Sequence, residues 1–160
     1  MQLKQAAAGP ARPANPIELE RFLPYRLSVL TNRVSGTLAR VYELRFGLTI
    51  PEWRVMAVLG RFPGLAAGEV AERSAMDKVT VSRAVARLVK SGRLVRHTDA
   101  NDRRRAELAF TPAGAAIYAE IAPLARAYEA RLWAALTPLE AKAFDALIDK
   151  LLARTDEIET

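Results

Sequence analysis

The sequence predicts a mainly α-helical fold with one small β-hairpin, an α+β arrangement, and three observations carry that expectation. Long stretches near both ends repeat apolar residues at steps of three and four, the spacing of one helix face. Helix-start signals recur at Thr49, Asp77, Thr111 and Thr137, each a residue whose side-chain oxygen can take an open backbone N–H. Between the second and third of these lie two short runs, residues 93–98 and 105–110, joined by the polar segment Asp99–Arg104. That is the pattern of a strand, a loop and a returning strand.

Taken in order, residues 1–17 are rich in Ala and Pro, lack an apolar run, and read as a flexible arm rather than a signal peptide. Glu18 to Phe46 reads as a long helix in which Phe22, Leu23, Leu27, Leu30, Val34, Leu38 and Val41 share a face. Pro24 is either tolerated in its first turns or marks the true start, and Gly47 ends it. Thr49 and Glu52 form a capping box for a second helix, stopped by Arg61-Phe62-Pro63-Gly64. A short helix over Ala67–Ser74 and a turn at Ala75-Met76 come next. Asp77 then caps a helix over Lys78–Lys90, which Gly92 closes. Thr111-Pro112 opens a helix expected to reach Leu136, bent near Pro123. Thr137-Pro138-Leu139-Glu140 opens a last one ending near Arg154, and 155–160 read as a frayed acidic tail. The expected organisation is an arm (1–17), a region of long helices (18–46 with 112–154), a middle domain (47–111) and the tail (155–160).

Composition excludes several classes of function. Of the 160 residues 51% are apolar, enough for a core. There is no Cys, so disulfides and thiolate metal sites are out and a reducing, cytoplasmic setting fits. The single histidine, His97, cannot build a zinc site alone. No apolar run reaches the length of a membrane helix. A glycine-rich nucleotide loop, a nucleophile–His pair and a carboxylate cluster with active-site spacing are all missing, so no catalytic residue, cofactor or metal is expected.

Charge is where the chain is most uneven. Residues 71–105 hold ten Lys and Arg against four Asp and Glu, a balance of +6 that equals the formal charge of the whole chain. A positive field confined to one short stretch suits a polyanion, whose phosphates reward clustered cations through counterion release. On a helix over Lys78–Lys90, Val81, Val85 and Leu88 face a core. Thr80, Arg83 and Arg87 form a second stripe, flanked by Lys78, Ser82 and Lys90. A short helix, a tight turn and such a two-faced helix make a helix-turn-helix whose second helix fits a major groove. Arg can take guanine bidentately there, while Ser and Thr reach bases or phosphates. The loop Asp99–Arg105 beside it is a wing. An arginine at its tip suits a narrow minor groove, with Asp102 placed to orient Arg104.

At these residues the chain resembles the MarR family of bacterial winged-helix transcription regulators, over about Leu19 to Arg154. The resemblance is carried by Thr49–Val58 (TIPEWRVMAV), Asp77–Leu88 (DKVTVSRAVARL), Gly92-Arg93-Leu94-Val95, Asp102-Arg103-Arg104, and Leu108 through Thr111-Pro112-Ala113-Gly114. It implies a homodimer held by the first and last helices and double-stranded DNA as partner. The contacts it implies come from Lys78, Thr80, Ser82, Arg83, Arg87, Asp102, Arg103 and Arg104. It also implies a cleft for a small effector, an aromatic carboxylate or an aryl-CoA thioester, for which Arg26 is the candidate cation and Trp53 the candidate wall. The plain alternatives are a solvated face or cross-dimer ion pairs for Arg26, core packing for Trp53, Tyr42 and Phe46, an ordinary strand position for His97 and a structural cap for Asp77. For the whole chain, the alternative is a constitutive architectural DNA-binding dimer without a ligand.

Overall fold

The computed structural model describes residues 15–98 and 106–158. Among the described residues, six helices and two strands follow in the order α1 (Leu23–Phe46), α2 (Ile50–Arg61), α3 (Ala67–Ser74), α4 (Lys78–Lys90), β1 (Leu94–Thr98), β2 (Ala106–Phe110), α5 (Pro112–Trp133) and α6 (Pro138–Ile158). The chain divides into two units, Met1–Gly36 and Thr37–Thr160. Most of the arm expected over 1–17, and the wing residues Asp102, Arg103 and Arg104, lie outside the described residues.

In the first unit α1 begins five residues later than Glu18. The Glu18 carbonyl accepts from the N–H groups of Arg21 and Phe22, both at 3.0 Å, so 18–22 form a turn. Pro24 then sits in the first turn of α1, where its missing N–H leaves no gap in the ladder. The proline therefore marks the true start. Leu23, Tyr25, Leu27 and Leu30 are exposed along these opening turns.

The second unit is built around the winged core. Leu48, Val55, Met56, Leu59, Val70, Val81, Val85, Leu88, Leu94 and Leu108 are buried together, joined by Tyr42 from the end of α1 and Ile121 from α5. The Val81, Val85 and Leu88 stripe is wholly inside, as its spacing predicts. The strands pair antiparallel, from Leu94 opposite Phe110 to Thr98 opposite Ala106. A third rung joins them: the Leu108 N–H donates to the Leu65 carbonyl at 3.0 Å, and Ala66 bridges Glu107. A one-residue bridge has no periodicity, so the sequence gives no sign of it.

Two helix ends differ from expectation. α5 stops at Trp133 rather than Leu136, because the Ala135 and Leu136 N–H groups turn to acceptors three residues back, Leu132 and Trp133. That tightens the end into a 3₁₀ turn. α6 runs to Ile158, a full turn past Arg154, so 155–158 are helix and not tail. The Arg154–Glu157 pair at 2.6 Å and a Thr155 hydroxyl donated to the Leu152 carbonyl hold that turn, and neither Gly nor Pro interrupts it.

Candidate nucleic-acid interface

The front of α4 begins with its cap. Asp77 has extended backbone, and its carboxylate accepts from the Thr80 N–H at 2.8 Å and the Thr80 hydroxyl at 2.6 Å. The Thr80 hydroxyl, followed by the Thr80 N–H, holds the Asp77 carboxyl below its usual range. Asp77 is thus the helix cap expected of it. Thr80 gives its one hydroxyl proton to that cap, which leaves it only lone pairs to offer. Lone pairs do not bond phosphate oxygens, but they can accept from the amino group of a base.

Lys78, Ser82, Arg83 and Arg87 all stand exposed on α4. None of the three cations among them forms an ion pair with another described residue. Their charge is available to an outside polyanion. Val79 lies among them, 58% exposed, an apolar residue that the charge pattern does not single out. Its signal was its position two residues before Val81, which turns it away from the buried stripe. An apolar side chain on a groove-reading face is suited to a thymine methyl.

Beside α4, Arg73 of α3 lies over the Phe62 ring at 4.3 Å, and Arg61 lies over it at 5.0 Å. These cation–π contacts pin the α2–α3 turn. On the hairpin, His97 is exposed opposite Glu107, an ordinary strand position.

The effector candidates fall on separate units. Arg26 is exposed on α1. Trp53 of α2 is half-buried and stacks on Tyr42 at 5.6 Å and on Tyr118 of α5 at 5.8 Å, and Tyr118 meets Phe110 at 5.5 Å. Burial pushes the Tyr42 phenol up, against the pull of Arg54, so it stays protonated at neutral pH. Tyr118 and Phe110 complete a four-ring wall that depends on contacts between residues far apart in the chain. No described helix is long and apolar enough to cross a membrane.

This arrangement has known counterparts. The sequence profile of the MarR family matches residues 46–105. The crystal structure of a MarR-family transcriptional regulator from Silicibacter pomeroyi is 32% identical with a TM-score of 0.71, over 85% of this chain and 91% of that one. An HTH-type transcriptional repressor of Mycobacterium tuberculosis is 28% identical over 131 residues, 81% of this chain and 91% of the repressor. The PcaV transcriptional regulator of Streptomyces coelicolor, whose crystal structure holds its natural ligand, is 25% identical with a TM-score of 0.70, over 87% and 97% of the two chains.

Proposed function

Because the chain belongs to the MarR family of transcriptional regulators, we propose that it is a ligand-responsive repressor that binds a pseudo-palindromic operator as a homodimer. The observation that carries the reading is α4. Its back is buried through Val81, Val85 and Leu88, and its front exposes Lys78, Ser82, Arg83 and Arg87 with their charges unneutralised by described neighbours. Asp102, Arg103 and Arg104 extend the same basic run into the wing, where Arg104 enters the minor groove with Asp102 orienting it.

Dimerisation is supported by α6, which buries no residue and exposes Leu147, Ile148, Leu151 and Leu152. Apolar surface of that extent on a helix marks an interface. Two reading helices related by a two-fold axis meet successive major grooves about 34 Å apart. An effector that binds better to a dimer with misplaced reading helices withdraws it from DNA, by no more than its differential affinity. The effector class proposed is an aromatic carboxylate or its CoA thioester, with the Arg26 cation and the Trp53 ring as two separate candidates for contact. The ligand held by the Streptomyces relative supports a ligand-responsive reading.

The test is Arg104→Ala on a duplex that the wild-type protein selects from a random pool. Loss of one groove-reading arginine should weaken binding by about 1–3 kcal/mol, a factor of about 5–150, with melting temperature unchanged. Unchanged affinity would remove the wing from the interface.

A further inference from the structure

Three helix ends meet at one residue. The Arg93 N–H donates to the Leu88 carbonyl at 2.8 Å and closes the C-terminus of α4, with Gly92 beside it at φ 67°. The Arg93 carbonyl accepts from the Thr111 N–H at 3.1 Å, while the Thr111 hydroxyl donates to the neighbouring Gly92 carbonyl at 2.6 Å, where Thr111 caps α5. The Arg93 guanidinium donates to the carbonyl of Phe46, the last residue of α1. That carbonyl is otherwise an open helix end. The neighbouring end bonds run from the Gly47 N–H to Glu43 and from the Leu48 N–H to Tyr42, and pass Phe46 by. A cation is also the charge a helix C-terminus favours.

We infer that Arg93 is a positioning residue: it sets the angle of α4 against the ends of α1 and α5, and so couples the dimerisation helices to the reading helix. The inference rests on α4 being the DNA-reading helix. Each attachment of Arg93 ends on a different helix, so a shift of α1 or α5 is felt at α4 through two or three bonds. The other elements packed on α4 hold it through apolar contacts of its back, which resist separation but not a small rotation. Gly114 allows the close approach on the α5 side, since a Cβ there would lie 1.9 Å from the Arg93 carbonyl oxygen.

The chain has no Cys, so spin labels can be placed at Glu43→Cys on α1 and Ala86→Cys on α4, both exposed positions. Diluting the labelled chain in an excess of unlabelled protein restricts the electron–electron distance measurement to pairs within one chain. Arg93→Ala should broaden the distance distribution and weaken binding to the selected duplex roughly tenfold, within the 5–150-fold range of site-to-site coupling. Arg93→Lys, which keeps a donor and the charge, should restore most of both. Lys90→Ala removes the same charge from the same crevice beside Thr49 and Glu52, and should leave the distribution narrow. A narrow distribution in Arg93→Ala would overturn the inference, as would equal broadening in Lys90→Ala. Should the Ala variant not fold, Arg93→Met, which keeps the stem but no donor, must show the same broadening. The distances report on the joint even if the wild-type protein selects no duplex, so failure of the joint and failure of the DNA reading are told apart.

Discussion

Gly114 shows how far one residue's size can matter. Its hydrogen is the side that faces the Arg93 backbone, and any Cβ would lie 1.9 Å from that carbonyl oxygen and 2.8 Å from its carbon. Backbone held at both ends by hydrogen bonds cannot swing aside. Gly114→Ala should therefore lose at least the 1–3 kcal/mol typical of overpacking, read as a fall in urea midpoint. A midpoint equal to wild type would mean that the α5 cap can retreat from Arg93. At Gly60 the obstacle is different: the Tyr118 ring, 2.4 Å from a built Cβ, is a side chain and can rotate away from Trp53. Thr80 makes the same point by chemistry rather than volume. It shares the helical stripe of Arg83 and Arg87, yet its proton belongs to Asp77.

At the scale of elements, capping decides where helices begin, and α4 links that to pH. The Asp77 carboxyl titrates below its usual value of 3.8 because Thr80 bonds the charged form. A lowered folded-state value means its stabilisation is complete above the unfolded value and is lost as pH falls through the lower one. Glu140 on α6 is shifted in the same direction by Thr137, so acid melts of wild type alone mix the two. Comparing melting temperatures of wild type and Asp77→Ser between neutral pH and pH 3 separates them. The difference favouring Asp77 should shrink toward the acid end, and a constant difference would contradict the cap's role. These caps were legible because each lies within three residues: Thr49 with Glu52, Asp77 with Thr80, Thr111 with Gly114 and Thr137 with Glu140. The late start of α1, the tight end of α5 and the extra turn of α6 depend on bonding choices that spacing leaves open. The Arg93–Phe46 bond spans 47 residues, and the Tyr42–Trp53–Tyr118–Phe110 wall likewise joins distant elements. A local pattern carries no trace of either.

At the scale of the molecule, the basic run and the apolar helices have complementary parts. The run of +6 lies between residues 71 and 105 and is the part proposed to meet the polyanion, while the leucines exposed on α1 and α6 are the surface proposed to join two copies. Arg93, itself within that run, is bonded to the ends of α1, α4 and α5. In the proposed complex, two α4 helices of one dimer enter two major grooves of one duplex. Hydroxyl-radical footprinting of the wild-type protein on its selected duplex tests this most directly. It should show two protected segments related by a two-fold axis, about one helical turn apart, with protection extending into the flanking minor grooves. A single protected segment, or protection that ignores sequence, would contradict it.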